Sequence, residues 1–203
     1  QGTKGFELWP GIPFLDEIPF FRRQKRAVLN NCGCYDPESI SEYIARGGYR
    51  AFVKAILHYT YEEVCNIIET SGLRGRSGGG YPTGLKWKQA LNTTSASRYL
   101  ICNARESDPG GFTDRTILES DPHRLVEGIA IASYAIGATS AIIFFRKGSL
   151  HALNRLQKAI DQAREYSLLG HNIFSSGYNL DIIIRQEPGA FVCGEETALI
   201  STL

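Results

Sequence analysis

Ser140-Ala-Ile-Ile-Phe-Phe-Arg146 is the stretch that decides the fold class of this chain. A short apolar run bounded by polar residues is typical of a strand buried on both faces of a parallel sheet. A helix that starts at Asp121-Pro122-His123 and ends at Gly137 precedes this run, and an amphipathic helix over residues 150–166 follows it. A strand between two helices is the repeating unit of α/β proteins.

Two further runs, residues 98–103 and 180–185, have the same form. Because helices alternate with these three strands, the sequence predicts a Rossmann-like, doubly wound parallel sheet. Thr83 is expected to cap a helix from Gly84 to about Leu91, and Gly194-Glu195-Glu196 is expected to open a final helix. In such sheets ligands bind beyond the carboxyl ends of the strands.

A small helical region is predicted before the sheet. Asp36-Pro37-Glu38 indicates one helix start, residues 49–58 a second helix, and the capping box Thr60–Glu63 a third. Residues 1 to about 30 show no period and predict an arm. We therefore expect an N-terminal arm and helical region over residues 1–72, followed by a Rossmann-like domain over residues 73–203.

The composition is that of an ordinary globular protein, and a net charge of +1 over 203 residues indicates neither nucleic acid nor an anionic membrane as partner. No apolar run approaches the roughly 18 residues that span a bilayer. Five cysteines without paired spacing predict reduced thiols in a cytoplasmic protein. Because the chain lacks Met and stops within an apolar helical pattern, we expect a fragment of a longer polypeptide.

The stretch Ser71-Gly-Leu-Arg-Gly-Arg-Ser-Gly-Gly-Gly-Tyr-Pro-Thr-Gly-Leu-Lys-Trp87 is unusually rich in glycine and in cations. Glycines let a backbone approach a flat or phosphorylated ligand, cations pair with phosphate, and aromatic rings stack. The stretch lacks the Lys-Ser/Thr of a P-loop and the spacing of the dinucleotide fingerprint. A nucleotide-like cofactor site is the favoured interpretation, and a structural loop between helix and sheet is the alternative.

Two polar segments are expected at the same edge of the sheet. Asn103–Arg115 follows a predicted strand, and it is interpreted either as a turn with a binding site or as a turn alone. Gly189–Ala198 places Glu195 and Glu196 in the first turn of a helix. These two acids either interact favourably with the helix dipole or bind the ribose or amide hydrogens of a cofactor.

The three segments together closely resemble the flavin-carrying, NADH-oxidising subunits of respiratory complex I and of multi-subunit iron-only hydrogenases. The family pattern reads GLRGRGGxGFPTGLKW, CNADExxPGxFxDR with ExDPHxxxEG, and GAGAFVCGEETAL. This chain has GLRGRSGGGYPTGLKW, CNARESDPGGFTDR, LESDPHRLVEG and EPGAFVCGEETAL. The leading segment from Arg26 to Ile40 and Phe191 resemble the hydrogenase-type members, so the resemblance covers about residues 20 to 203.

The resemblance implies that FMN lies in the cleft, accepts a hydride from NADH and passes single electrons to iron–sulfur clusters. By motif position, the residues that would bind FMN are Gly75, Arg76, Gly78, Lys86, Asn103, Glu106, Gly194 and Glu195. Those that would face the nicotinamide nucleotide are Tyr81, Asp108, Phe191 and Glu196. The acid Asp108 near the ribose would favour NADH over NADPH. No catalytic side chain and no metal ligand is expected within this chain.

The resemblance also implies a missing C-terminal part with a [4Fe–4S] cluster, and a cytoplasmic location without membrane insertion. The implied partners are a thioredoxin-like 2Fe-2S subunit and a larger iron–sulfur or hydrogenase subunit. Arg105 stands where the family has Asp, Ser77 replaces a glycine, Tyr81 replaces Phe, and Glu187-Pro188 replaces Gly-Ala. The charge reversal at Arg105 keeps a second interpretation open, a non-catalytic paralogue that acts as a scaffold subunit.

Overall fold

The computed structural model describes residues 10–14, 17–76, 79–106, 110–186 and 196–203. The chain divides into two compact units, residues 1–30 and 31–203. The first unit contains a short helix, α1 (Pro19–Arg22), in which the rings of Phe20 and Phe21 meet edge to face at 5.3 Å. None of the helices in the described part of the chain has the length and apolarity that a membrane span requires.

The second unit opens with four helices: α2 (Ile40–Ala45), α3 (Arg50–His58), α4 (Tyr61–Thr70) and α5 (Thr83–Leu91). The predicted capping box of Thr60 and Glu63 is present at the start of α4. The predicted helix start at Asp36 is wrong, because the Asp36 carboxylate accepts a hydrogen bond from the Glu38 N–H (2.9 Å) in a turn. Ser39 is the cap of α2 instead, since its hydroxyl accepts from the Glu42 N–H.

The three predicted strands are confirmed, with bounds that differ by at most one residue at each end: β1 (Tyr99–Ala104), β2 (Ser140–Phe145) and β3 (Asp181–Gln186). They form one parallel sheet in the order β1-β2-β3. Helices α6 (Thr113–Ser120) and α7 (Pro122–Ile136) follow β1, α8 (Leu150–Glu165) follows β2, and α9 (Glu196–Ser201) follows β3. Helix α6 was not predicted. The cap predicted at Thr83 is wrong, since Thr83 is the first residue of α5 and forms no side-chain cap.

Helices cover both faces of the sheet. Ala141, Ile143 and Phe145 of β2 belong to the main core, which also contains apolar residues of α7 and α8. On the opposite face, Phe144 packs with Leu199 of α9 in a second cluster. The predicted fold class, a Rossmann-like parallel α/β sheet, is therefore confirmed.

The parallel direction of the strands places their three carboxyl ends at one edge of the sheet. These ends are Ala104 of β1, Phe145 of β2 and Gln186 of β3. The polar segments that the sequence predicted to meet a ligand follow the first and third of these strands. The fold thus provides the carboxyl-end crevice at which α/β proteins bind their ligands.

Candidate functional site

The glycine loop is closed at its base by backbone hydrogen bonds. The Gly75 N–H donates to the Tyr81 carbonyl (2.9 Å), and the Thr83 N–H donates to the Leu73 carbonyl (2.9 Å). Gly80 adopts the left-handed conformation (φ +57°), which glycine tolerates without strain. The base of the loop is therefore fixed, while Ser77 and Gly78 lie outside the described residues.

Most of the described residues of this loop are exposed, and Gly80 and Pro82 are half-buried. Arg76 and Lys86 are exposed, and Tyr81 is 47% exposed while its hydroxyl donates to the Gln89 side-chain oxygen (3.2 Å). A side chain added at Gly79 or Gly80 would meet nothing within 4 Å, although the φ of Gly80 would strain any other residue there. Cations, an aromatic ring and accessible backbone are what a phosphorylated, ring-containing ligand needs.

One glycine of the same motif has a purely structural role. A Cβ atom at Gly84 would lie 2.3 Å from the Glu69 backbone nitrogen, so only glycine allows α5 to approach α4 this closely. An ion pair between Lys88 and Glu69 joins the same two helices. The motif therefore combines a ligand-facing loop with a helix-packing position.

At the end of β1, the side chains of Asn103 and Glu106 bind backbone amides. The Asn103 side-chain oxygen accepts from the Arg105 N–H (3.2 Å). The Glu106 carboxylate accepts from the N–H groups of Asp114 (3.2 Å) and Arg115 (3.3 Å) in the first turn of α6. Glu106 is thus the cap of the helix that sequence reasoning missed. Glu106 lies seven residues before Thr113, so no adjacent residue marked the start of α6 in the sequence. Asp108 lies outside the described residues.

An ion pair between Lys86 and Glu196 joins the glycine-loop helix α5 to α9. Both side chains are more than half exposed, at 55% and 70%. The structure therefore brings the first and third predicted segments together at Lys86 and Glu196. Phe191, Gly194 and Glu195, the other predicted residues of the third segment, lie outside the described residues.

A cavity of about 400 Å³ lies beyond the ends of β1 and β2, beside the start of α8. Its floor includes Ala104 and Phe145, and its rim carries the cations Arg115, Arg146 and Lys147. Arg146 donates from Nη1 to the Glu106 carbonyl (3.1 Å), which ties the loops after β1 and β2 together. The cavity extends the cation-lined edge of the sheet.

Three polar side chains of the DPHxxxE segment have a role that the sequence did not reveal, since each of the three accepts a hydrogen bond from a tyrosine hydroxyl of the helical region. Their partners are as follows: Tyr35 donates to Asp121 (2.8 Å), Tyr43 to Glu127 (2.6 Å) and Tyr49 to His123 (3.0 Å). Burial, more than any other cause, raises the pKa of all three tyrosines. The start of α7 is therefore the anchor of the region around α2 and α3.

The hydrogen bonds around His123 define its tautomer. The Gln162 amide donates to the Glu38 carbonyl (2.9 Å), so its oxygen faces His123 Nε2 at 3.0 Å. Nε2 therefore carries the proton, and Nδ1 accepts from the Tyr49 hydroxyl. Burial lowers the pKa of His123 from 6.5 to about 4, against the opposing effect of the Gln162 hydrogen bond. His123 is neutral at physiological pH.

Comparison with known proteins decides the family. Residues 68–203 match the model of the Nuo51 FMN-binding domain. The chain belongs to this family. It is 52% identical over 182 residues to the NADP-reducing hydrogenase subunit HndC of Solidesulfovibrio fructosivorans, a match that covers 90% of this chain and 37% of that protein. It is 50% identical over 165 residues to one of the NADH-quinone oxidoreductase subunits of Aquifex aeolicus, a match that covers 81% of this chain and 38% of that protein.

A solved structure supports the same membership of the Nuo51 FMN-binding family. The chain aligns with an NAD+-reducing [NiFe]-hydrogenase in the H2-reduced state at a TM-score of 0.68 and 32% identity. The alignment covers 80% of this chain and 27% of that one. The chain thus spans less than two fifths of the length of these relatives. The predicted resemblance to flavin-carrying complex I and hydrogenase subunits is confirmed.

Proposed function

We propose that this chain is the FMN- and NAD-binding part of an NADH-oxidising or NAD-reducing subunit in a multi-subunit electron-transfer complex. The observation that carries the proposal is the Lys86–Glu196 ion pair, because it joins the glycine loop to the third motif at the cation-lined edge of the sheet. Membership of the Nuo51 FMN-binding family supports the same conclusion.

The described residues fit a flavin mononucleotide. The exposed backbone around Gly75, the cations Arg76 and Lys86, and the polar end of β1 at Asn103 and Glu106 offer complements to a phosphate and a polar ring edge. We propose that these residues hold FMN together with Gly78, Gly194 and Glu195. When bound, FMN accepts hydride from NADH and releases electrons singly, which no side chain of this chain can do.

The chain's own residues would orient and select the ligands. Lys86 would neutralise phosphate charge once a ligand replaces Glu196 as its partner, and Tyr81 would stack on a ring of the nicotinamide nucleotide. Glu196 and Phe191 would contact the same nucleotide. An acid at Asp108 would repel a 2′-phosphate and so favour NADH. Because the HndC relative is described as NADP-reducing, both coenzymes must be tested.

We further propose that the complete subunit carries a [4Fe–4S] cluster in its C-terminal part. Its partners would be a thioredoxin-like 2Fe-2S subunit and a larger iron–sulfur or hydrogenase subunit, and the complex would lie in the cytoplasm. The names of the relatives support an assembly of this kind, since each relative is a subunit of a larger oxidoreductase. Neither nucleic acid nor direct membrane insertion is part of the proposal.

The test is the absorption spectrum of the full-length subunit, purified with its complex. We expect a flavin band that NADH bleaches, FMN in the heat-released supernatant, and weaker bleaching by NADPH. Lys86→Gln should release FMN, whereas Lys88→Gln, two residues further along α5, should retain it because Lys88 pairs with Glu69. A colourless complex that still assembles would contradict the proposal and favour the scaffold alternative.

A further inference from the structure

A groove of about 1010 Å³ lies between α3 and the segment 166–174. Its lining includes the apolar side chains of Val53, Leu168 and Phe174, with Tyr166 beside them. None of these residues belongs to the proposed cofactor site. The groove therefore needs an explanation of its own.

The groove is bordered by a row of basic side chains, which we call the basic stripe: Arg46, Arg50, Lys54 and His58. Arg50, Lys54 and His58 recur every four residues along α3, and Arg46 lies in the turn before it. All four side chains are exposed, and within the described part of the chain none forms an ion pair with a carboxylate. A positively charged border beside an apolar floor is complementary to an acidic, partly apolar ligand.

The backbone around this groove is strained. Five non-glycine residues of the described part of the chain have a positive φ: Tyr49, Ser167, Asn172, Phe174 and Ser175. Two of them line the groove, Tyr49 at φ 60° and Phe174 at φ 51°. For such bulky residues this conformation is unfavourable, and it persists only where surrounding contacts impose it.

Identified contacts hold both strained aromatic residues in place. The Tyr49 hydroxyl binds His123 Nδ1 at 3.0 Å, and the Phe174 ring meets the Phe52 ring edge to face at 6.3 Å. Strained residues that are held in this way cluster at ligand clamps and other functional sites. Charge, an apolar floor and imposed strain therefore coincide at one groove.

We infer that this groove docks an acidic segment of a partner protein. Its carboxylates would pair with Arg46, Arg50 and Lys54, and its apolar side chains would contact Val53 and Phe174. Cations four residues apart on a helix are about 6 Å apart along its axis. Alternate side chains of an extended peptide repeat at about 6.6 Å, so a segment with an acid at every second position matches the stripe.

A protein segment fits these observations better than a nucleic acid does. The net charge of the whole chain is only +1, so the stripe is a local feature rather than part of a basic surface. The groove also offers an apolar floor to side chains, and an acidic peptide with alternating apolar residues would use both parts. The inference is independent of the proposed cofactor, because Lys86, Glu106 and Glu196 play no part in it.

The test uses the full-length protein and a fluorescein-labelled heptapeptide of alternating glutamate and leucine, followed by fluorescence anisotropy. We expect saturable binding that weakens as ionic strength rises. Arg50→Glu combined with Lys54→Glu should weaken binding at least about tenfold, since two exposed attractions become repulsions. Arg50→Gln with Lys54→Gln should weaken it less, and thermal melting should confirm that all variants fold.

The matched control is Lys25→Glu combined with Arg185→Glu, which changes the net charge equally at exposed positions elsewhere in the chain. It should leave the affinity for the peptide unchanged. Equal weakening by the control and the stripe variant would overturn the inference, because binding would then depend on net charge alone. It would also be overturned if the peptide failed to bind, or if a polyuridylate oligonucleotide of equal charge bound the stripe more tightly than the peptide.

Discussion

Replacing His123 by glutamine should flatten the dependence of stability on acid pH. His123 is fully buried at the start of α7, and its pKa is lowered to about 4 in the folded protein against 6.5 ordinarily. Below pH 6.5 the unfolded chain therefore takes up a proton that the folded chain excludes. The stabilising contribution is complete above pH 6.5 and is lost as the pH falls towards 4.

The magnitude follows from the two pKa values. The gap between 6.5 and about 4, at about 1.4 kcal/mol per pH unit, corresponds to ~3 kcal/mol, of which ~2.5 kcal/mol is already lost at pH 4.5. Glutamine forms hydrogen bonds but does not titrate. The stability of His123→Gln should therefore lack this term, so the stability of the wild type relative to the variant should fall by that amount between pH 7.5 and pH 4.5.

The assay is urea unfolding at pH 7.5, 6.5, 5.5 and 4.5, followed by tryptophan fluorescence, to which Trp87 contributes from its position against the core. Carboxylates also titrate in this range, but their effect cancels when the variant is compared with the wild type at each pH. His151→Gln, at an exposed position on α8, is the control and should retain the wild-type slope. If the stability of His123→Gln falls as steeply as that of the wild type when the pH is lowered from 7.5 to 4.5, the reasoning is refuted.

Three further variants test individual contacts by the midpoint of urea unfolding, and Gly128→Ala serves as the comparison for Gly84→Ala. Gly84→Ala should destabilise by ~1–3 kcal/mol, because its Cβ would meet backbone atoms of α4. Gly128 lies inside α7 with open space around it, so Gly128→Ala should stabilise the protein by ~0.5–1 kcal/mol. The packing role of Gly84 is refuted if the two glycine variants shift the midpoint alike. Tyr49→Phe should cost ~1–3 kcal/mol, since it leaves the buried His123 Nδ1 without its hydrogen-bond partner; an unchanged midpoint would contradict the Tyr49–His123 hydrogen bond. Glu106→Gln should lower the free energy of unfolding by ~0.5–1 kcal/mol, because it weakens the capping of α6. A stability equal to that of the wild type would contradict the role of Glu106 as the cap of α6.

The sheet could be predicted from sequence because its signals are local. The apolar run from Ser140 to Phe145 and its two counterparts define strands without knowledge of any partner, and Gly137 ends α7 at a positive φ as its position suggested. Helix α6 was missed because its cap is not adjacent in sequence. Its first turn is satisfied by Glu106, which lies seven residues before the helix begins at Thr113.

The candidate site was predictable only in part. Lys86 and Glu196 could be assigned to one cleft because both lie in long, specific motifs, and the structure joins them. The pairing of tyrosines with Asp121, His123 and Glu127 had no comparable signal. Each hydrogen bond joins residues more than 70 positions apart, and a lone tyrosine in the sequence does not reveal the partner of its hydroxyl.

Residues of one motif therefore divide between binding a ligand and assembling the fold, and the two roles can be separated experimentally. Gly84 holds α5 against α4, so Gly84→Ala should lower both the urea midpoint and the FMN content, because Lys86 is displaced with its helix. Lys86→Gln should lower the FMN content of the complex while the midpoint of the flavin-free protein stays within about 0.5 kcal/mol of the wild type, since Lys86 is an exposed ion-pair partner. If Lys86→Gln lowered both quantities equally, the glycine loop would have to be interpreted as a structural connection rather than as a wall of the cofactor site.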